Sequence, residues 1–264
     1  NRTSPFAFTG NKFEFRMVGS AANISCPNFI LNTIVAEELR GFAEELEGAE
    51  DFDAALEKLM KQTIKEHRRV IFSGNNYSEE WKKEAKRRGL PELKTTVDAL
   101  PLYAQKKNVE LFERHGVLSI EEIHSRKEIL LENYANIVHI EAVTALDMAR
   151  SEIAPAIIEY ENVLLSELKL KESSGALPFG LEGGVLKKLA AVSEEFANGT
   201  DELEAALAEW SHERSNSEKA IYCKEVLLPA MEKVRGFADE AELLLGKKYR
   251  AFPSYEDILY SVKY

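Results

Sequence analysis

The chain has 264 residues, with 34 Lys and Arg against 45 Asp and Glu, a formal net charge of −11. This length suffices for one large domain or two smaller ones, and the negative charge argues against an extended nucleic-acid surface or an anionic membrane as a partner. Hydrophobic residues make up 45% of the sequence, yet no run of about 18 apolar residues exists that would cross a bilayer.

Breakers and cysteines are both scarce. The 14 Gly and 8 Pro leave room for long helices. Cys26 and Cys223 are far apart and in no Cys-x-x-Cys pattern, so neither a disulfide framework nor a thiolate metal site is indicated. Without a basic segment followed by an apolar stretch at its start, the chain is expected in a reducing cytoplasm. It opens at Asn1, directly in β-type sequence, and we expect it to be a piece of a longer protein.

The first element is predicted to be a β-hairpin. Two alternating runs, residues 6–9 and 12–17, flank Gly10-Asn11, a two-residue loop with the glycine first, as a type II′ turn prefers. That loop predicts the pairs Thr9 with Lys12, Phe8 with Phe13, Ala7 with Glu14 and Phe6 with Phe15. The four phenylalanines are then expected on one face of the hairpin.

The other face of the hairpin carries the candidate site. Lys12, Glu14 and Arg16 alternate along one strand, opposite only the small Ala7. Glu14 and Arg16 are separated by roughly 6–7 Å of strand rise, so we expect both to address one ligand without forming a mutual salt bridge. A carboxylate suits a hard divalent cation, and a guanidinium suits a phosphate or carboxylate. The alternative is that these residues only cover the wet face of an amphipathic hairpin.

Beyond Cys26 the apolar residues recur at three- and four-residue spacings, which predicts helices. The first helix is expected to begin near Pro27 and to pack on the hairpin through Ile30, Ile34, Val35 and Leu39. A long helix opened by a capping box at Ser119 is expected to be buried on two sides, because its apolar residues cover more than one stripe. The helices are predicted over residues 27–46, 52–67, 78–89, 95–114 in turns around Pro101, 119–171 with a kink at Pro155, 185–197, 201–210, 215–246 with Pro229 inside, and 255–260.

Two Glu-x-x-His steps offer a competing metal site. Glu121 with His124 and Glu209 with His212 have the spacing that supplies ligands in di-iron four-helix bundles. Glu121 falls in the first turn of its helix and His212 near a helix end, whereas bundle ligands project from mid-helix. His67, His115 and His139 are predicted to serve packing or surface roles, and Gly180–Gly184 before Lys187 and Lys188 is interpreted as an ordinary helix start rather than an anion site.

Ordered segments along the whole chain resemble the C-terminal part of type III glutamine synthetases. Residues 1–17, 19–23 and 26–28 are similar to the end of the catalytic domain of that family. Five further segments resemble the helical region that only this type has, namely residues 76–81, 95–101, 121–126, 146–150 and 253–255. The resemblance implies that residues 1–48 end an α+β catalytic domain and residues 49–264 form a helical C-terminal region. The fold expected is mainly α, with long helices packed around a short N-terminal antiparallel β-hairpin.

The resemblance also implies roles for individual residues. The Glu-x-Arg strand of the family supplies a ligand to a catalytic Mg²⁺ or Mn²⁺ and an arginine to the glutamate substrate, which here are Glu14 and Arg16. The preceding Asn-Arg step supplies an arginine near the nucleotide phosphates and substrate, here Arg2, and Lys12 stands where many relatives keep an arginine near the nucleotide. A further phosphate-contacting arginine of the better-known bacterial type falls at Ala7, so that contact is missing or comes from elsewhere.

The activity implied is that of an ATP-dependent glutamate–ammonia ligase, which forms glutamine through γ-glutamyl phosphate. Its substrates are glutamate, ATP and ammonia, and the family implies a homo-oligomer. The family's other metal ligands lie upstream of the Asn-Arg step, so the chain is expected to need the upstream part of the same catalytic domain and to be inactive alone. The alternative from another class is a helical oligomerisation module that does no chemistry. No nucleic acid or membrane partner is expected.

Overall fold

The computed structural model describes residues 6–8, 12–16, 19, 23–72, 75, 78–175, 178, 180–211 and 213–261. It is mainly α-helical, as predicted, with two short strands at the start. The elements in chain order are β1 (Phe6–Phe8), β2 (Phe13–Phe15), α1 (Ser25–Glu47), α2 (Phe52–Glu66), α3 (Glu79–Arg87), α4 (Thr96–Tyr103), α5 (Lys106–Arg114), α6 (Ile120–Met148), α7 (Ala154–Ser174), α8 (Gly180–Ala208), α9 (Asn216–Tyr222), α10 (Leu228–Leu244) and α11 (Tyr255–Leu259). Short 3₁₀ turns occur at Arg68–Val70 and Lys247–Tyr249.

The hairpin has the predicted register. Strands β1 and β2 are antiparallel, with Ala7 opposite Glu14 and the predicted phenylalanine pairs on either side. The fourth predicted pair includes Thr9, which lies outside the described residues, as does the Gly10-Asn11 loop. The expectation that the four phenylalanines share a face concerns side chains that are likewise not described, apart from Phe13. The alternating pattern therefore predicts the strand pairing to the residue.

The chain divides into two compact units, residues 1–127 and residues 128–264. These units are defined by packing, whereas the predicted division after residue 48 concerned the end of a catalytic domain; that division stays a prediction. In the described part of the first unit, α1 makes its most extensive contacts with α2 and α5, not with the hairpin as we had expected. Phe29 and Ile30 of α1 pack on a small core formed by Val109, Phe112, Leu118 and Ile123. The rest of the predicted face, Ile34, Val35 and Leu39, is exposed.

The short helices of the first unit begin where the sequence places caps. The Ser78 side chain accepts a hydrogen bond from the Trp81 backbone N–H at the start of α3, and Thr95 does the same for Asp98 in α4. Pro101 lies inside α4 rather than dividing two turns, and the break falls one turn later at Ala104 and Gln105. The break falls there because a proline near a helix end lacks only one donor and the following residues still close the turn.

The second unit is built on one continuous core. Its buried side chains come from α6, α7, α8, α9 and α10 and from the π turns before α7 and α10, with Leu189, Leu203 and Leu227 completely enclosed. Helix α8 packs along α10 and along α7. The capping box predicted at Ser215 is present, with Ser215 and Glu218 bonding each other's backbone N–H. Within the described residues, no helix combines the length and apolar character that a membrane span requires.

The predicted break at Asn198-Gly199 is wrong, because α8 runs without interruption from Gly180 to Ala208. Gly199 is buried where α8 crosses α10, and a Cβ added there would lie 3.7 Å from Val234 and 3.8 Å from Lys233 and Phe237. Gly199 therefore lies in a helix interior that packs on α10, and not in a turn. An Asn-Gly pair indicates a loop only where tertiary packing does not hold the two residues in a helix.

Both prolines predicted to lie inside long helices follow a π turn. The π turn Ala149–Ile153 joins α6 to α7, two residues before Pro155, and the π turn Cys223–Leu227 joins α9 to α10, two residues before Pro229. Proline has no N–H to donate to the preceding turn, and a π turn absorbs the mismatch by shifting to i→i+5 bonds. The helices continue through these sites, which explains the long uninterrupted apolar periodicity of the sequence.

Helix α6 is buried on one side only, contrary to the prediction of two. Its inner stripe, which includes Leu131, Ala135, Val138 and Ala142, is part of the core. Its second apolar stripe is exposed and consists of Ile129, Leu130, Ile137, Ile140 and Val143. The sequence therefore carries more apolar helix surface than this chain covers with its own described residues.

Candidate functional site

The predicted site residues of the hairpin lie on and beside β2. Glu14 is in the middle of the strand, Lys12 comes just before it and Arg16 just after it. Ala7 is paired with Glu14 across the hairpin, as predicted. Arg2 lies outside the described residues. The structure therefore describes three of the four predicted side chains.

Glu14 and Arg16 leave the strand in the same direction. The Nε and Nη2 atoms of Arg16 donate to Oε2 of Glu14 at 3.1 and 2.8 Å, and Nζ of Lys12 lies 3.6 Å from Oε1 of the same carboxylate. Side chains two residues apart on a strand share one face, so the common direction follows from the alternation. It satisfies the geometric requirement of a site that addresses one ligand with both groups.

The expectation that Glu14 and Arg16 avoid a mutual salt bridge is wrong. The two side chains are long enough to span the strand rise and meet each other. Their side chains remain 36% and 30% exposed, and ion pairs in such positions contribute only about 0–1 kcal/mol because water competes for both charges. A ligand that offered Glu14 a cation and Arg16 an anion would therefore displace this pair at little cost.

The donor set fits a divalent metal only in part. A carboxylate oxygen is a suitable ligand for Mg²⁺ or Mn²⁺, which prefer oxygen donors and near-octahedral coordination. Within the described ranges, no group of three or more His, Cys, Asp or Glu side chains gathers in a way that would hold a metal ion. Glu14 can thus supply one ligand, and the remaining ligands would have to come from outside the described residues.

The competing di-iron hypothesis gains no support from the described residues. Glu121 sits in the first turn of α6, where its own backbone N–H and then the Ser119 hydroxyl lower the pKa of its carboxyl group. Glu209 follows the end of α8, and His212 lies outside the described residues. A carboxylate bonded to a helix N-terminus serves as a cap and not as a mid-helix metal ligand.

One polar cluster was not found by sequence reasoning. Glu37 of α1 accepts hydrogen bonds from Arg40, at 3.0 Å to each carboxylate oxygen, and lies 2.8 Å from Nε2 of His115; Arg114 bonds the same carboxylate. The bonds from Arg40 and then from His115 hold the pKa of Glu37 at about 2. Because Glu37 and His115 are 78 residues apart, no local pattern predicts their contact. The cluster fastens α1 to the end of α5.

The other histidines and the two cysteines lie at surface, polar or packing positions, with His67 exposed. The ring of His139 stacks on Trp210 with 4.5 Å between the centroids, and His115 belongs to the Glu37 cluster. Burial raises the pKa of the Cys26 thiol, opposed in part by Arg126, as expected for a packed thiol and not for a nucleophile. Cys223 is buried and donates to the Ala135 carbonyl.

Comparison with known proteins identifies the class of the helical region first. Residues 55–172 match the family described as glutamine synthetase C-terminal domain, which lies wholly within the helical region predicted for residues 49–264. These residues extend from α2 to the end of α7. The matched region therefore covers helices of both compact units.

Relatives that match along the whole chain make the assignment more specific. The chain is 36% identical over 268 residues to a glutamine synthetase of Butyrivibrio fibrisolvens, covering 100% of this chain and 38% of the relative. It is also 36% identical over 273 residues to a type-3 glutamine synthetase of Dictyostelium discoideum, with 98% and 36% covered. A glutamine synthetase of Bacteroides fragilis is 30% identical over 273 residues, with 99% and 37% covered.

These matches confirm the resemblance of the chain to type III glutamine synthetases. The chain spans less than two-fifths of the length of the curated relatives it matches. What the complete relatives do therefore passes to this chain only as a proposal.

Proposed function

We propose that this chain is the C-terminal part of an ATP-dependent ligase that joins glutamate and ammonia to form glutamine through γ-glutamyl phosphate. The observation that carries the proposal is the shared direction of Glu14 in β2 and Arg16 just after it, in a chain similar to glutamine synthetases over its whole length. The domain division after residue 48 and a cytoplasmic location, expected from the cysteine pattern, belong to the same proposal.

Arg16 would bind the substrate glutamate. Its planar guanidinium offers a fork of donors to a carboxylate, and the hairpin register fixes where that fork emerges. Binding of glutamate would replace the Glu14 carboxylate as the anion beside Arg16, so the salt bridge of the ligand-free hairpin holds the guanidinium near its working position. Arg2 and Lys12 would neutralise nucleotide phosphates as negative charge spreads over the transferring phosphoryl group.

Glu14 would contribute one oxygen ligand to Mg²⁺ or Mn²⁺, together with ligands from the upstream part of the same catalytic domain. When bound, the metal supplies charge neutralisation to the phosphoryl oxygens. Lys12, 3.6 Å from the other oxygen of Glu14, would help to hold that carboxylate in place. This division of labour explains why the chain alone should lack turnover.

The test is a pair of substitutions in the intact enzyme. Glu14→Ala should lower kcat/KM by about 100-fold or more, the order expected when one charge contact in the transition state is removed, and should weaken Mn²⁺ binding measured by calorimetry. Arg16→Lys should chiefly raise the KM for glutamate, since an ammonium lacks the planar fork. Glu38→Ala, which removes an exposed acid of α1, is the matched control. Normal turnover and metal binding in Glu14→Ala would refute the assignment.

A second function, a helical module for oligomerisation, is supported by a different observation. The exposed apolar stripe of α6 and the exposed apolar residues of α1 are more apolar helix surface than a solvated face needs. The two functions are compatible in one enzyme. They separate in the isolated chain, where Mg²⁺ and ATP titrated by calorimetry should give no heat if assembly is all that the chain performs alone.

A further inference from the structure

Helix α2 presents a charged edge whose cations have no acidic partner. Lys58 and Lys65 are exposed and two helical turns apart, about 10.5 Å, and within the described part of the chain neither forms an ion pair. Lys61, between them, is bonded to Glu57. The two lysines therefore leave a positive edge in a chain whose net charge is −11.

The same helix exposes an apolar edge. Met60 and Ile64 are one turn apart and 55% and 59% exposed, while the opposite side of α2 buries Leu59 and faces α1. A helix face with an apolar edge and a charged edge is typical of a surface that packs on another helix. A nucleic acid would bind the lysines and leave Met60 and Ile64 uncovered, so a polypeptide partner is favoured.

Helix α7 carries a complementary face. Ile158 and Leu165 form its exposed apolar edge. Its other edge carries Glu159 and, from the π turn before the helix, Glu152; both are exposed and have no basic partner in the described residues. The middle of this face is polar but uncharged, with Asn162 and Ser166. The middle of the α2 face also has no net charge, because Glu57 and Lys61 pair with each other. The uncharged middles of the two faces can therefore face each other without repulsion.

The two faces also match in handedness and spacing. At about 100° per residue, the charged edge of α2 lies about 130° round from its apolar edge, and Glu159 lies about 110° round from the apolar edge of α7 in the same rotational sense. Glu152 lies about two turns before Glu159, in the π turn that leads into α7. Only antiparallel packing then sets charged edge against charged edge and apolar edge against apolar edge. Glu152 and Glu159 are seven residues apart, as are Lys58 and Lys65, so the register that pairs Lys58 with Glu159 also pairs Lys65 with Glu152.

We propose that α2 of one copy of this chain packs antiparallel on α7 of a second copy, with Lys58 and Lys65 paired to Glu159 and Glu152 and with Met60 level with Ile158. The contact joins two different surfaces, so it can close as a two-fold dimer with two reciprocal α2–α7 contacts or continue from copy to copy into larger rings or open chains. The inference rests on the assembly function proposed above and is independent of ligase chemistry.

Association of the whole 264-residue chain tests the contact by sedimentation velocity. At about 0.05 M salt, species larger than the monomer should grow with protein concentration, and at about 0.5 M salt the apparent association constant should fall by at least ~10-fold, because screening acts on exposed ion pairs. A chain that stays monomeric in low salt overturns the proposal.

Charge reversal identifies the surfaces. Lys58→Glu with Lys65→Glu should weaken self-association by ~10-fold or more, and Glu152→Lys with Glu159→Lys should do the same. Mixing the two variants one to one should restore association, and so should combining all four changes in one chain, because each contact is then complementary again. The control Lys187→Glu with Lys188→Glu makes the same change of net charge at exposed positions of α8 and should leave association unchanged.

The outcomes separate this contact from the assembly function itself. Association that ignores all of these variants would leave assembly intact and overturn the α2–α7 contact. Loss of association that neither the mixture nor the fourfold variant restores would also overturn it, since the effect would then come from charge alone or from misfolding. A chain that never associates would refute both the contact and the assembly function, without bearing on the ligase proposal.

Discussion

The two compact units achieve order by different means. Residues 1–127 carry 20 Lys and Arg against 20 Asp and Glu, whereas residues 128–264 carry 14 against 25 and hold the whole net charge. The first unit has short helices, a small core and polar side-chain contacts between residues distant in sequence, such as Glu37 with His115. The second has long helices around one continuous core. Apolar periodicity predicts the long helices of the second unit well. It does not predict the polar contacts of the first unit, because a contact between residues distant in sequence leaves no local pattern.

The largest test of this comparison is a cavity in the second unit. Leu203 of α8 is completely buried in the core of the second unit, so Leu203→Ala should lower the free energy of unfolding by about 2–5 kcal/mol. Urea titration followed by circular dichroism measures the loss. If stability there came from surface ion pairs instead of the core, the substitution would cost less than about 1 kcal/mol.

Substitutions at Gly199 test whether packing against α10 keeps α8 continuous at Asn198-Gly199. A Cβ at this position meets its neighbours at ordinary contact distances of 3.7–3.8 Å, so Gly199→Ala should be neutral or stabilise by up to about 1 kcal/mol through helix propensity. Gly199→Leu should destabilise by about 1–3 kcal/mol, because the larger side chain cannot fit between α8 and α10. Destabilisation by alanine would indicate a turn-like backbone instead.

Local sequence patterns predict some features of this fold and miss others. The hairpin register, the Ser78 and Ser215 caps and the long helices follow from alternation, capping residues and periodicity. The Glu14 and Arg16 direction followed from strand alternation, but their salt bridge did not, since alternation fixes which face a side chain occupies and not where a long side chain ends. Asn198-Gly199 misled because only the tertiary structure shows that α10 crosses there.

The Glu37 cluster should make the free energy of unfolding of the first unit fall at low pH. Because the pKa of Glu37 is lowered to about 2, the ionised carboxylate stabilises the fold above its ordinary pKa near 4.5, and that contribution is lost as the pH falls toward 2. Glu37→Gln should therefore reduce stability at neutral pH and flatten the fall between about pH 4.5 and 2. Thermal unfolding at a series of pH values measures it. Equal acid dependence in both proteins would show that other carboxylates dominate.

Helix caps offer the smallest contrast, since each unit has a serine cap at a helix that begins after a loop. Ser78 accepts from Trp81 in the first unit, and Ser215 forms a reciprocal capping box with Glu218 in the second. Either Ser→Ala change should lower the free energy of unfolding by about 0.5–2 kcal/mol.

The loss at Ser215 should appear in full, because α9 continues through a π turn into α10 and its start is tied to the core. The loss at Ser78 should be the smaller one, because α3 has no fully buried residue and its fraying leaves the core intact. A larger loss at Ser78 would mean that α3 supports the first unit more than its burial suggests, with the Phe72–Trp81 stack and the bonds from Arg88 to the Arg69 and Ile71 carbonyls as the reason.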